Sequence, residues 1–334
     1  MTGTGSYRAA LVGCALLCLG GLIATTSETN ARMAAMAAVW GLMAAGWNIV
    51  SGYAGPLSLG QAAFFGLTWF LSTLLFIEYD LTPYLGIAIG VVASLLLAVV
   101  IGLATLRLSG LYFALATLTI PLIMGTLTRY FDWFELTRPY VGESARHFQF
   151  NSSLPYYVTA AVLLAAALFF TAYLQRTRMG RYFVAIRENE RAAEASGIPT
   201  LRYKLYAFLI AAVMASLAGG IYGQIAFVFT PEDAYSPVTS IQALLIVLIG
   251  GAGTVLGPVI GAALVIPAGQ LTAEHFSHLP GLDHLAYAVV LLIVAFFSRE
   301  GLYPLLARGT ERLGQLLGRR RPRAPAAVVR KEGP

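Results

Sequence analysis

The stretch YLGIAIGVVASLLLAVVIGLATL, residues 84–106, runs for 23 residues without one charged side chain. As an α-helix it measures roughly 35 Å, enough to cross the ~30 Å hydrocarbon core of a bilayer. Hydrocarbon offers no hydrogen-bonding partner, so a chain crossing it must satisfy its peptide groups internally, as a helix does. Similar apolar runs lie to either side, near 9–26, 33–50, 57–77, 110–127, 155–174, 205–226 and 285–298. A further stretch, 239–269, is apolar for 31 residues but broken by Gly250-Gly251-Ala252-Gly253 and Gly257-Pro258. It is too long for one span and short for two, and reads as two abbreviated helices meeting at a glycine-rich bend. The expected fold is an all-α integral membrane protein of about ten transmembrane helices.

Composition leads to the same class. Of 334 residues, 58% are hydrophobic and 11% charged, and the mean hydropathy is +0.73. A soluble domain carries roughly 25% charged residues, so too few charges remain here to cover an aqueous surface. The expected organisation is one transmembrane domain, 1–306, followed by a basic, Pro/Ala-rich cytoplasmic tail, 307–334, without a core pattern. The tail's Arg319-Arg320-Arg321 run fits topology retention and lipid headgroups better than nucleic acid. Cys14 and Cys18, four residues apart in the first run, read as small hydrophobes on one helix face rather than as a disulfide. Leu11-Val12-Gly13-Cys14 resembles a lipoprotein cleavage box, but about five apolar residues before Cys14 are too few for a signal h-region, so the first run is expected to stay as an anchor.

Charge placement orients the chain. With Arg8 inside, the segments 51–56, 107–109, 175–204, 252–257 and the C-terminus also fall inside. Together they hold 18 of the 22 Lys and Arg residues, all but Arg32, Arg129, Arg138 and Arg146. Ten of the 16 acids fall outside. This satisfies the positive-inside rule and places both termini in the cytoplasm. Five helices then lie on each side of the outer loop 128–154. Two halves of odd helix number would be an inverted repeat. The glycine-rich stretches around Gly55-Pro56 and Gly257-Pro258 fit that reading, and they fit ordinary helix packing equally well.

No Asp, Glu, Lys, Arg or His sits centrally in any proposed span, and Arg107 lies at an end. Proton-coupled carriers place titrating groups there, and a membrane enzyme would need nucleophiles, metal ligands or paired carboxylates. The segment Glu274 to His284, with His275, His278, Asp283 and His284, could supply zinc ligands, but its spacing matches no standard motif and it reads as a solvated loop, so no metal is expected. What the interior offers is mild polarity: Asn48, Ser51, Ser58, Gln61, Thr68, Ser72, Thr117, Thr119, Ser216, Gln224 and Gln242. Such groups either line a path for a small polar solute or join helices. Asn48, Ser51, Ser58, Gln61 and Gln242 are the pore-lining candidates. Gly52, Gly55, Gly60, Gly250, Gly251, Gly253 and Gly257 are candidates for close packing or local unwinding.

The longest inside segment between spans is 175–204. Within it Val184 to Ser196, VAIRENERAAEAS, reads as one short helix, with Gly197 as its C′ residue and Pro199 as its stop. Arg187–Glu190, Glu188–Arg191 and Arg191–Glu194 would form i,i+3 pairs. Small apolar positions between these charges suit docking into a groove on another protein. Arg176, Arg178 and Arg181 equally suit a helix lying on anionic lipid. The pattern alone leaves both readings open.

GRYFVAIRENERAAEASGIP, Gly180 to Pro199, resembles the coupling-helix loop of the branched-chain amino acid ABC permeases of the LivM type. SGYAGPLSLGQAAFFG (51–66), LRLSGLYFALATL (106–118) and TPEDAYSPVTSIQALLIVLIGGAGTVLGPVIGAAL (230–264) are similar to the same family, in the family's order. The resemblance implies a permease of the bacterial inner membrane. Its implied partners are a second homologous permease subunit, two cytoplasmic ATPase subunits and a periplasmic or extracellular solute-binding protein. It implies that Arg187, Glu188, Asn189, Glu190, Ala193 and Gly197 engage an ATPase. No nucleotide or other cofactor is expected on this chain, which has no G-x-x-x-x-G-K-[ST] phosphate loop. One departure stands out: where the family usually carries L-T-G-G-x-x-G-L, this chain reads Leu136-Thr-Arg-Pro-Tyr-Val-Gly142. The substrate is therefore expected among branched-chain amino acids or related solutes such as urea, amides and aromatic acids.

Overall fold

A computed structural model describes residues 3–131, 133, 135–276 and 302. Its long elements are all helical: α1 (Gly3–Ala24), α2 (Glu28–Trp47), α3 (Gln61–Tyr79), α4 (Pro83–Thr105), α5 (Leu111–Tyr130), α6 (Leu154–Leu174), α7 (Arg178–Glu188), α8 (Glu190–Ala195), α9 (Thr200–Ala226), α10 (Pro231–Ala234), α11 (Pro237–Gly250) and α12 (Gly257–Phe276). Two strands of two residues each, β1 (Leu136–Thr137) and β2 (Val228–Phe229), pair antiparallel beside the end of α9. Eight of the described helical segments are long and apolar enough to cross a membrane, and Gly257–Thr272 adds a shorter apolar helix. This is an all-α integral membrane protein. The expected run 285–298, the histidine-rich segment beyond Phe276 and the tail 307–334 lie outside the described residues, so eight spans rather than ten are counted here.

The middle of the bundle is α2, α3 and α9. The most apolar window of the α2 span is 78% buried, against 22% for α1 and 28% for α4. On α4, Leu96 and Val100 are 66% and 67% exposed; such side chains on an outer helix require lipid rather than water around them. Between the central helices lies an aromatic cluster, with Trp40 stacked on Phe65 at 5.8 Å and Trp69 edge-on to Tyr222 at 4.9 Å. Gly219 lets α9 rest directly on α3: a Cβ there would stand 2.0 Å from the carbonyl oxygen of Phe65. Lipid tails are as apolar as the helices, so close packing of this kind is what holds helices together in a membrane.

Two interruptions break this regularity. After α2 the chain continues as a π-helix over Asn48–Ala54 and then leaves helical geometry until Gln61. Between α11 and α12 it bends through 251–256, where the sequence placed a glycine-rich break. The segment 175–204 also differs from expectation. The single helix Val184 to Ser196 is two helices: α7 begins earlier, at Arg178 on a Thr177 cap, and ends at Asn189. There φ is −159° and ψ is 104°, and the Asn189 side chain accepts from the Ala192 N–H to start α8. An asparagine that caps a new helix competes with continuing the old one. The break also rearranges the anticipated pairs. Among the described residues Arg187 pairs with Glu188, Glu190 with Lys204, and Glu194 accepts from the Thr200 hydroxyl at 2.6 Å. Gly197, at φ +81°, terminates α8 as a C′ glycine does.

Candidate functional site at the two glycine bends

The unwound chain 55–60 should be costly inside a membrane, because its peptide groups lack helical partners. Several of them are met by polar side chains, while the Gly55 N–H donates to the Val50 carbonyl at 3.0 Å. Ser51 Oγ donates to the carbonyl of Pro56 (2.9 Å) and accepts from the Ser58 N–H (3.2 Å). Trp47 Nε1 donates to the Ser58 carbonyl at 2.8 Å. Thr117 Oγ1 on α5 accepts from the Leu59 N–H (3.0 Å), and Ser240 Oγ on α11 accepts from the Ala62 N–H (2.9 Å).

The second bend is tied to the first through Asn48. Its Oδ1 accepts from the Gly253 N–H and its Nδ2 donates to the Thr254 carbonyl, both at 2.8 Å. Thr254 Oγ1 in turn donates to the Gly251 carbonyl and accepts from the Gly257 N–H. The approach is close enough to exclude side chains: a Cβ on Gly52 would stand 2.0 Å from Asn48 Oδ1 and 2.9 Å from the Gly253 nitrogen. Gly253 itself has φ +72°, a conformation other residues rarely adopt.

Arg187 closes the arrangement. From the last turn of α7 its Nη1 donates to the Gly52 carbonyl at 2.7 Å, while Nη2 pairs with Glu188 at 2.8 Å. Its own backbone lies against Gly55, where a Cβ would be 3.1 Å from the Arg187 Cα. α7 is seated by Phe183 (0% exposed) and Ile186 (3%). α8 is held to the first turn of α9 by the ion pair of Glu190 with the buried Lys204. Glu188, Asn189 and Arg191 remain exposed, whereas Ala193 is covered by its own chain. Residues near 50, 187 and 253 thus form one polar joint at the end of the bundle that carries α7 and α8.

Of the pore-lining candidates, Asn48, Ser51 and Ser58 are brought together at this joint and serve backbone groups. Gln61 lies just beyond it, fully buried, with neither amide atom hydrogen-bonded; Gln242 is half-buried on α11 and takes no part. Gly60 packs on Thr117, where a Cβ would stand 2.9 Å from the Thr117 carbonyl oxygen. Gly250 and Gly257 bring α11 and α12 into backbone contact, a Cβ on Gly250 falling 1.8 Å from the Gly257 oxygen.

A permease component of branched-chain amino acid transport systems describes a family, and that description matches residues 30–296. The chain belongs to this family. It is 23% identical over 309 residues to the high-affinity branched-chain amino acid transport permease LivM of Salmonella typhimurium, covering 84% of this chain and 71% of LivM. LivM of Escherichia coli is 24% identical over 308 residues with the same shares. A shorter match of 133 residues, 29% identical, links 40% of the chain to 42% of the high-affinity branched-chain amino acid transport permease LivH of S. typhimurium. No solved structure matches.

Several residues that matter here carried no separate signal in the sequence. Lys204 and Ser240 act through partners 14 and 178 positions away, and the Thr254 carbonyl through Asn48, 206 positions away. At the opposite end, Arg138, in the stretch that departs from the family pattern, is 3% exposed. Its Nη1 donates to Gln224 on α9, its Nη2 to the His147 carbonyl at 3.1 Å, and its guanidinium lies 4.7 Å from the Phe76 ring centre. Burial lowers its pKa to about 10, which leaves it cationic at neutral pH.

Proposed function

We propose that this permease is the membrane subunit of an ATP-driven importer for branched-chain amino acids or related small polar solutes in a bacterial inner membrane. Two cytoplasmic ATPases close on ATP and push on the exposed edge of α7 and α8. A second permease subunit completes the pathway, and a soluble binding protein delivers solute from outside. The observation that carries this reading is Arg187, which joins α7 to the unwound carbonyl of Gly52 beside Gly253. A displacement of α7 therefore reaches two helix interruptions without an intervening flexible linker. Gly52, Gly55, Gly251 and Gly253 then act as pivots, while Asn48 keeps the two bends in step during alternating access. The exposed Glu188, Asn189 and Arg191 touch the ATPase; Ala193 and Gly197 set the position of α8.

The test separates docking from transmission. The chain is tagged and extracted gently with its membrane neighbours, and ATPase recovery, ATP hydrolysis and solute uptake are followed together. Glu188→Arg with Arg191→Glu should release the ATPase subunits. Arg187→Ala should retain them but leave hydrolysis uncoupled from uptake. A chain that purifies alone and moves solute alone in liposomes would refute the proposal in favour of a self-sufficient carrier.

A further inference from the structure

Beside the joint is a cavity of about 630 Å³ whose lining includes Ser6, Tyr53, Gln175, Arg176, Arg181, Val184 and Arg187. Three of these residues are arginines and none is acidic. Arg187 has Glu188 as its counter-charge, whereas Arg176 and Arg181 have no carboxylate within 4.0 Å among the described residues. Like charges gathered in one hollow repel each other unless an anion enters it.

The walls are already in place. Ser6 Oγ donates to Gln175 Oε1 and Gln175 Nε2 donates to the Tyr53 hydroxyl, each at 2.5 Å, so one side is a chain of hydrogen bonds across three elements. The Arg176 guanidinium lies 3.7 Å over the Tyr7 ring, and Arg181 Nη1 donates to the Arg176 carbonyl at 3.0 Å. These contacts fix the two guanidinium groups at the cavity wall through one ring face and one N–H, which leaves their other N–H groups for an oxyanion such as phosphate.

We propose that this cavity binds the phosphate of an anionic phospholipid from the cytoplasmic leaflet. Lipid rather than soluble phosphate is indicated by what adjoins it. Ser6 and Tyr7 lead directly into the outward face of α1, where Leu11 and Val12 are 59% and 50% exposed. A headgroup seated among the arginines therefore has an apolar surface ready for its acyl chains. The depth is that of headgroups, since α6 ends at Leu174 and Arg176 follows at once. Such a lipid bridges α1, the π-helix and α7, and so holds α7 in register with the bend at Gly253. The inference depends on the membrane placement of the chain and not on ATPase coupling.

Its test uses the full chain, purified in mild detergent and stripped of lipid. Phosphatidylglycerol, phosphatidylcholine or inorganic phosphate is then titrated in, and bound molecules are counted by native mass spectrometry. One phosphatidylglycerol should be retained in preference to phosphatidylcholine, without competition from inorganic phosphate. Arg176→Gln combined with Arg181→Gln should weaken retention by about 25-fold, roughly fivefold for each charge. Arg178→Gln removes a neighbouring charge outside the lining and should change nothing. Val184→Phe fills the cavity without altering charge and should also weaken retention, with the unfolding temperature kept as a check on folding. Equal retention of the two lipids, or unaltered retention by the double variant, would overturn the proposal. Displacement by inorganic phosphate would overturn the lipid assignment and leave a soluble phosphate as the ligand.

Discussion

Asn48 illustrates how much one side chain can carry when it lies at a break in two helices. Its amide supplies one acceptor and one donor to a bend more than 200 positions away, and both backbone groups are otherwise without helical partners. Leaving such a group unmet costs roughly 1–3 kcal/mol. Asn48→Ala should therefore lower the unfolding free energy by about 2–6 kcal/mol, read from thermal unfolding in detergent, and should depress uptake more strongly than the loss of folded protein explains. Asn48→Asp keeps the acceptor for Gly253 but buries a carboxylate against the Thr254 carbonyl, so a loss at least as large as that of Asn48→Ala is expected. Gly253→Ala acts through backbone geometry instead: φ +72° disfavours a Cβ, and Arg187 Nη1 stands 2.8 Å from where it would go. The expected outcome is weakened coupling of ATP hydrolysis to uptake, measured in proteoliposomes, with assembly preserved. Polar residues at 48, 51 and 58 were visible in the sequence as a dense group. Their division into backbone-serving and free was not, because that depends on which peptide groups the helices leave open. Gln61 shows the difference. By type it belongs to the same group, yet its amide is buried and unpartnered while its neighbours are engaged.

Among the elements, the stretch Val184 to Ser196 reads locally as one helix, because most of its residues favour helix and a C′ glycine follows. The asparagine at 189 decides otherwise. Its side chain caps α8, and Lys204 draws Glu190 toward α9, so the second helix is anchored by tertiary contacts that no local pattern announces. Asn189→Ala removes the cap, worth about 1 kcal/mol, and should let α7 continue toward Ala193. Faster amide exchange at residues 190–195, with α7 protection unchanged or extended, would record it. Lys204→Met should be more disruptive, since it leaves the Glu190 carboxylate beside a buried position without its cation. The outcome expected is loss of ATPase association alongside increased proteolysis near residue 197. The other interruption, between α11 and α12, was legible in advance. Glycines at 250, 251, 253 and 257 weaken helix there, and 31 apolar residues fit no single span.

For the whole molecule, the outer loop gives the clearest prediction. Arg138 ties that loop to α9 through Gln224 and to its own later turn through the His147 carbonyl, with the Phe76 ring 4.7 Å away. Arg138→Leu should leave the Gln224 and His147 oxygens unpaired, open residues 139–149 to protease, and lower stability by roughly 2–6 kcal/mol, about 1–3 per stranded group. If the loop stays protected, its order comes from Gln149, whose amide bridges Pro139 and Val141. The solvent, the helical class and the family are legible in the order of residues alone. These follow from local quantities: apolar run length, charge density and motifs in register. It takes the packed fold to bring residues 48, 187 and 253 together, to pair Glu190 with Lys204, and to set Arg176 and Arg181 in one hollow with Arg187. Apolar side chains partition into lipid wherever they occur along the chain, so length and composition suffice to place a helix in a membrane. A hydrogen bond or an ion pair needs its partner within about 3 Å, and which residues come that close is set by how the helices pack.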